Sequence, residues 1–271
     1  MRLARERSGA AGISRRAMPV ADCYDEHFAR KGDPALPQTN IAKEKITLNV
    51  SDGSSMGCYV AHPDDSASHP GIIVLQEAFG VNSHIRNVAE RFAAQGYVAI
   101  APELFHRTAP GFEGSYSDFP GVRRHMAAMT VPGGEADLRT AFDWLQSQKN
   151  VQADRICSTG YCMGGRMSFL ANSILPLRAA VSFYGGGIAP ALLDRAPRLN
   201  APMLFFWGGR DKHIPPEQRE AVIDSLHRAG KTYANVEFSD ADHGFNCDER
   251  ASYQPRAARQ SWAMLLEFLQ S

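Results

Sequence analysis

The chain has 271 residues, of which 44% are hydrophobic and 21% charged, so it is long enough to bury a core of its own. Its 29 lysines and arginines are matched by 29 aspartates and glutamates, and a formal charge of zero argues against nucleic acid as a partner. The longest apolar runs, such as those at 72–75 and 203–207, are far shorter than the ~18 residues that would suggest a membrane span. We therefore expect no nucleic-acid partner and no membrane partner.

The five cysteines are an odd number and contain no Cys-x-x-Cys pair, which favours a reducing compartment. No heptad series or internal repeat is present. We predict a cytoplasmic protein and, as its oligomeric state, a monomer.

Residues 1–40 are rich in Ala, Arg, Gly and Pro and lack a steady apolar period, so we interpret them as an N-terminal extension, in part disordered. The organised domain is predicted to occupy 41–271. It opens with an antiparallel hairpin at a sheet edge, because Ile46, Leu48 and Val50 alternate, a Ser-Asp-Gly turn follows, and a β-like run resumes at Met56.

Short apolar runs typical of strands covered on both faces follow the hairpin, and amphipathic helical periods separate them. This alternation predicts an α/β fold: a mainly parallel sheet of about eight strands with helices on both faces. One long stretch rich in Gly and Pro, at 105–134, is predicted to be irregular and to fold over the sheet as a cap. The six runs are 71–76, 97–101, 156–161, 179–184, 202–208 and 235–238.

A nucleophile elbow is the strongest local signal. The sequence Gly-Tyr-Cys-Met-Gly-Gly at 160–165 follows a predicted strand and opens a predicted helix, with Cys162 where Ser is commoner. The sharp turn requires small flanking residues and lifts the side chain above the sheet. The helix N-terminus favours a thiolate. The alternative is a structural cysteine in tight packing.

Two neighbouring signals are interpreted as structural. Ser55 lies in a Gly-x-Ser-x-Gly pattern, but a β-like run rather than a helix follows it, so we assign it to the hairpin surface. Cys157 falls inside a predicted strand and is expected to belong to the core.

An acid and a base follow the nucleophile in the chain order of α/β-hydrolases. Asp211 comes directly after the run at 202–208, and His243 comes shortly after the run at 235–238. Both are expected above the elbow, where His243 would exchange the proton of the thiol and Asp211 would orient the imidazole. His213 is a weaker base candidate, and Asp240 and Asp242 are rival acids.

The loop after the strand at 71–76 is expected to complete the site. Backbone N–H groups of Ala78 and Met163 are assigned to an oxyanion hole. Glu77 ends a hydrophobic strand, and we assign it a role beside the thiol, with an exposed strand-end carboxylate as the alternative. The remaining histidines show no ligand spacing, so we predict no metal and no cofactor.

In this order the motifs resemble dienelactone hydrolases, the carboxymethylenebutenolidase-like members of the α/β-hydrolase superfamily. The resemblance implies a Cys162-His243-Asp211 triad with Glu77 assisting the thiol, and hydrolysis of a small lactone or activated ester through an acyl-enzyme. It also points to Tyr184 as a substrate-binding residue. The matching elements are 76–82, 96–97 with 101–104, 160–165, 183–185, 208–211 and 243–245.

One position departs from the family. Family enzymes that act on dienelactone carry an arginine four residues after the catalytic histidine, to hold the substrate carboxylate, and here that residue is Cys247. A second family arginine corresponds to Arg123 or Arg124. Further candidate anion contacts are Arg107, Arg166 and Arg250.

Two other functions are compatible with these residues. A non-hydrolytic protein on the same fold could bind a small acyl ligand or sense oxidants through Cys162. Acyl transfer to an alcohol or amine is a third hypothesis.

Overall fold

The structure is a computed structural model that describes residues 40–270. Apart from Asn40, the predicted N-terminal extension lies outside the described residues. Eight strands form one sheet. They are β1 (Ile41–Asn49), β2 (Ser55–Pro63), β3 (His69–Leu75), β4 (Val98–Pro102), β5 (Val151–Tyr161), β6 (Ala180–Phe183), β7 (Met203–Gly208) and β8 (Tyr233–Phe238).

The sheet has the strand order β1-β2-β4-β3-β5-β6-β7-β8. β1 pairs antiparallel with β2 at the edge, β2 pairs antiparallel with β4, and all pairs from β4 to β8 are parallel. The predicted edge hairpin and the mainly parallel sheet are thus confirmed. β4, β6 and β7 are buried at every position, as expected of strands covered on both faces.

Helices pack on both faces of the sheet. Phe92 of α1 contacts Trp262 of α6 with ring centroids 4.8 Å apart, while α3 packs against α4. No helix within residues 40–270 has the length and apolar character to span a bilayer. The helices are α1 (Ser83–Ala94), α2 (Phe119–Ala128), α3 (Val131–Ser147), α4 (Met163–Ile174), α5 (Pro216–Arg228) and α6 (Pro255–Gln270), with a short 3-10 helix at Leu193–Arg198.

The stretch at 105–134 is not irregular throughout, contrary to the sequence expectation. It contains α2 and the start of α3. Asp118 caps α2, because its Oδ1 accepts the N–H of Gly121 at 3.0 Å, and Pro120 occupies the first turn, where its missing N–H costs nothing. Thr130 caps α3 in the same way. Pro120 and Gly121 therefore mark the start of α2, and Pro132 and Gly133 mark the start of α3, whereas the prolines and glycines at 110–114 do lie outside helices.

Candidate active site

Cys162 occupies the sharp turn between β5 and α4. Its φ of 54° and ψ of −117° lie in a region that non-glycine residues rarely adopt. The surrounding structure holds it there, because its N–H donates to the Phe183 carbonyl at 3.0 Å and its carbonyl accepts the N–H of Gly165 at 3.0 Å. The side chain is half-buried and lies at the N-terminus of α4, as the elbow motif predicts.

The elbow glycines are required by close backbone approach. A Cβ on Gly160 would overlap the Gly164 carbonyl, and a Cβ on Gly164 would overlap the Leu75 carbonyl. A Cβ on Gly165 would lie 2.8 Å from Gly185 Cα. The first turn of α4 is therefore pressed against the ends of three strands, and this packing fixes the position of Cys162.

Asp211 and His243 meet above this turn. Nδ1 of His243 lies 2.7 Å from Oδ2 of Asp211, and both residues are buried. Oδ1 of Asp211 accepts the backbone N–H groups of His213 and Ile214 at 2.7 and 3.2 Å. Burial opposes ionisation of Asp211, but these donors together with His243 outweigh it and lower its pKa.

His243 is poised to carry a positive charge. Burial lowers the pKa of its imidazole, but electrostatic interactions with Cys162 and Asp211, together with hydrogen bonds to both, outweigh burial and raise the pKa to about 10. The ring of Tyr184 packs against the imidazole with centroids 5.0 Å apart. The structure thus brings Cys162, His243 and Asp211 into one chain of contacts.

The rival acids and the rival base take other positions. Asp240 pairs with Arg256 on the surface, and Asp242 accepts the backbone N–H of His243 at 2.7 Å rather than its imidazole. The ring of His213 lies beside that of His243, with centroids 5.1 Å apart. His213 therefore lines the cavity, whereas His243 is the histidine whose imidazole contacts Asp211.

Two backbone donors belong to residues that line the cavity together with Cys162. Ala78, after β3, and Met163, at the start of α4, line the same cavity as Cys162. Among the described residues neither N–H has an acceptor. Free donors on either side of a nucleophile are what an oxyanion hole requires.

The cavity above Cys162 has a volume of about 500 Å³. Its walls combine apolar side chains with two cations, Arg166 and Arg250. Arg166 is half-buried, its Nε is buried without a partner, and it forms no ion pair with any residue in the described range. Burial lowers its pKa with no nearby acid to offset the effect. The other apolar lining includes Phe79, Tyr116, Phe119, Met126 and Ile214.

Several predicted substrate contacts lie elsewhere. Arg123 and Arg124 are exposed on α2 and do not line this cavity, which receives Phe119 and Met126 from that helix instead. Tyr184 has no exposed surface and lies behind His243. The structure therefore corrects the assignment of these three side chains to direct substrate contact.

Arg107 is also directed away from the cavity. Its guanidinium binds the buried carboxylate of Asp137 at 2.8 and 2.9 Å, and it pairs with Asp52 at 2.7 Å. His106 contacts the same carboxylate at 3.1 Å. These contacts give Arg107 a structural role at the start of the segment that carries α2.

Glu77 is fully buried and forms an ion pair with Arg250, with Oε1 at 3.2 Å from Nη1. It makes no hydrogen bond to Cys162, and its Oε2 has no partner among the described residues. The alternative of an exposed strand-end carboxylate is therefore wrong. Arg250 contacts Glu77 and lines the cavity, so it links the carboxylate to the site.

Cys247, at the position that departs from the family pattern, lies beside the same carboxylate. Its Sγ is 3.2 Å from the Tyr116 hydroxyl. His84 is nearby, and although burial lowers its pKa, its interactions with the Asp248 carboxylate and the Cys247 sulfur outweigh burial and raise the pKa to about 10. The spacing of Glu77, His84 and Cys247 in the sequence did not predict this cluster, because the three residues come from the loop after β3, from α1 and from the loop after β8.

Comparison with known proteins places this chain in a family. The model of the dienelactone hydrolase family matches residues 56–271. The chain belongs to the dienelactone hydrolase family. A Salmonella typhimurium relative named "Putative carboxymethylenebutenolidase" is 38% identical over 234 residues, which cover 82% of this chain and 85% of that protein. The "Carboxymethylenebutenolidase" of Pseudomonas putida is 29% identical over 231 residues, covering 83% and 95%.

A solved structure also supports membership of the dienelactone hydrolase family. A Klebsiella pneumoniae structure titled "Putative Dienelactone Hydrolase" superimposes with a TM-score of 0.79 at 33% identity, covering 86% of this chain and 99% of that one. As a dienelactone hydrolase family member with an eight-stranded, mostly parallel sheet, the chain has the α/β-hydrolase fold and is a hydrolase of small molecules.

Proposed function

We propose that this family member hydrolyses lactones or activated carboxylic esters through a covalent thioester on Cys162. The observation that carries the proposal is the contact chain from Cys162 to His243 to Asp211 beneath a cavity of about 500 Å³. A thiolate paired with an imidazolium is a nucleophile and a proton donor already formed before substrate arrives.

Acylation begins when the Cys162 thiolate attacks the carbonyl carbon. The developing oxyanion accepts hydrogen bonds from the N–H groups of Ala78 and Met163. As the carbon–oxygen bond breaks, His243 gives its proton to the leaving oxygen, which departs as an alcohol. In a lactone that oxygen stays attached to the acyl chain as a free hydroxyl.

Deacylation uses the same groups in reverse. Neutral His243 removes a proton from a water molecule, and the resulting hydroxide attacks the thioester carbonyl. The carbon–sulfur bond breaks, the carboxylic acid leaves, and the thiolate–imidazolium pair is restored. Asp211 stabilises the imidazolium in both half-reactions and holds its tautomer.

Glu77 is assigned a supporting role beside the thiol. Its carboxylate pairs with Arg250, which also faces the cavity, so the two charges offset each other next to Cys162. An entering anionic group that attracts Arg250 would weaken its hold on Glu77. The carboxylate would then be available to accept the thiol proton of any Cys162 that is not already ionised.

An anionic substituent on the substrate is part of the proposal. Arg166 lines the cavity as an unpaired, half-buried cation, and its Nη1 packs over Gly187. A buried charge without a partner is costly, and a carboxylate on the substrate would remove that cost. Arg166 and Arg250 thus take the place of the family arginine that is Cys247 in this chain.

The test is hydrolysis of p-nitrophenyl acetate by the wild type, Cys162→Ala and the control Cys157→Ala. Cys157 is a buried core thiol in β5, so its truncation tests for a general effect of losing a cysteine. We expect activity in the wild type and the control but not in Cys162→Ala, and mass spectrometry should find the acyl group on the peptide containing Cys162.

Equal rates in the wild type and Cys162→Ala would refute the proposal. Rapid sulfenate formation at Cys162 with no turnover of a lactone and ester panel would instead favour a redox-sensing protein. Products other than the free acid when alcohols or amines are added would indicate acyl transfer.

A further inference from the structure

Glu77, His84 and Cys247 form a second group of reactive side chains beside the catalytic cavity. A carboxylate oxygen, a ring nitrogen and the Cys247 sulfur all lie within 4.8 Å of one another. The exposed fractions of the three residues are 0%, 4% and 0%. The group is therefore enclosed by protein.

Two atoms of this group lack a partner within the part of the chain that the structure describes. Oε1 of Glu77 is held by Arg250, but Oε2 has no hydrogen bond. Nδ1 of His84 lies 3.4 Å from Oδ1 of Asp248, but Nε2 has no hydrogen bond. Leaving a buried polar atom without a hydrogen bond is unfavourable, so two such atoms in one enclosed group point to a ligand that both would bind.

The donor set is that of a borderline divalent cation. Thiolate, imidazole and carboxylate are the three ligand types that Zn²⁺ takes in proteins, at about 2.0–2.3 Å. Ligands at those lengths in a tetrahedron are separated by roughly 3.3–3.8 Å, so the group needs to contract by only about 1 Å. Two anionic ligands would also balance the charge of the ion.

The surroundings of His84 resemble an outer coordination shell. A histidine that binds a metal almost always donates its other ring N–H to a carboxylate, a backbone carbonyl or water, which fixes the ring and its tautomer. Asp248 occupies that position next to Nδ1. The Tyr116 hydroxyl, 3.2 Å from the Cys247 sulfur, can donate to a thiolate in the same way.

We propose that Glu77, His84 and Cys247 bind Zn²⁺ or a cation of similar preference, with a fourth coordination position open to water or a small ligand. This site lies outside the proposed triad, since neither His84 nor Cys247 belongs to it, but it shares Glu77 with the proposed supporting role beside the thiol. A bound cation would therefore withhold this carboxylate from Cys162. The proposal does not depend on hydrolysis of any substrate.

The experiment titrates the metal-free, full-length protein with Co²⁺, whose absorption reports thiolate ligation and tetrahedral geometry. We expect one equivalent to produce a thiolate-to-cobalt charge-transfer band and strong visible bands, both removed by one equivalent of Zn²⁺. The bands should persist in Cys162→Ala and in Cys23→Ser, whose thiol lies outside the described residues. They should be lost in Cys247→Ala, and His84→Asn should weaken Co²⁺ binding by at least tenfold.

Thermal denaturation supplies a second readout that needs no catalytic activity. A ligand that binds only the folded state raises the melting temperature. Zn²⁺ should therefore raise it for the wild type and Cys162→Ala but not for Cys247→Ala. Circular dichroism of each metal-free variant, including the conservative Cys247→Ser, shows whether the variant is still folded. A folded variant without a Zn²⁺-dependent rise in melting temperature has lost the metal site and not the fold.

Three results would overturn the proposal. The first is a wild-type titration without a thiolate band. The second is a band that survives in Cys247→Ala and disappears in Cys162→Ala, because the metal would then be bound by the catalytic pair. The third is a Zn²⁺-dependent rise in melting temperature that is the same in the wild type and in folded Cys247→Ala.

Discussion

Arg250 and Glu77 form an ion pair at the edge of the cavity above Cys162, with Nη1 at 3.2 Å from Oε1 and the carboxylate fully buried. The two residues lie at opposite ends of the domain sequence, one after β3 and the other before α6. The pair therefore joins two loops of the site, and Glu77 has no other charged hydrogen-bond partner among the described residues to offset its burial.

Replacing Arg250 by methionine should destabilise the protein. The change removes the cation that hydrogen-bonds Glu77 but keeps an unbranched side chain, and removing one partner of a buried ion pair costs about 3–5 kcal/mol. Urea unfolding measures the loss. The control is Arg256→Met, which breaks an exposed pair with Asp240 and should cost no more than about 1 kcal/mol. Similar losses in the two variants would contradict this interpretation.

Replacing Arg166 by methionine should impair the binding of anionic substrates. A charged hydrogen bond contributes about 1.5–3 kcal/mol, so KM for a carboxylate-bearing ester should rise roughly 10- to 100-fold. Steady-state kinetics should show little change in KM for uncharged p-nitrophenyl acetate. Arg123→Met is the matched control, because Arg123 is exposed and lies outside the cavity. An equal effect on both esters would exclude a role in charge recognition.

Replacing Asp211 by asparagine should lower kcat by up to roughly 10⁴-fold and move the alkaline limb of the pH–rate profile to lower pH. The wild-type imidazolium is retained up to a pH near 10, the raised pKa of His243, and is lost above it. The Asp211 carboxylate is one cause of that raised pKa, so a neutral amide leaves a more acidic imidazolium. A profile of kcat/KM against pH tests this, and an unchanged alkaline limb would assign the orienting role to another residue.

Replacing Gly160 by alanine should cost about 3 kcal/mol, because the new Cβ would overlap the Gly164 carbonyl in the first turn of α4. Activity should fall as well, since that turn positions Cys162. In Gly186→Ala the new Cβ would meet Ile214 at 3.6 Å, an ordinary contact, so stability should be kept or rise by up to about 1 kcal/mol. Chemical denaturation of both variants measures their free energies of unfolding relative to the wild type. A tolerated Gly160→Ala would mean that α4 can move away from β5.

Local patterns were sufficient to predict the sheet and the order of the site residues. The buried strands form continuous apolar runs, and a parallel sheet brings the loops that follow them to one edge, so Cys162, Asp211 and His243 could be assigned without coordinates. The stretch at 105–134 was misjudged because proline and glycine mark both loops and helix starts, and the caps at Asp118 and Thr130 distinguish the two.

By itself the amino-acid sequence determined the fold and the elbow turn at Cys162, and it predicted that Asp211 and His243 follow strands at the same edge of the sheet, because each depends on spacing within a few residues or on strand order. Only the tertiary structure decided that Arg166 lines the cavity while Arg123 does not. Only the tertiary structure showed that Glu77 pairs with Arg250 and that His84 and Cys247 lie close to the same carboxylate. The physical reason is that the direction of a side chain depends on the path of its loop and the rotation of its helix, which long-range packing fixes.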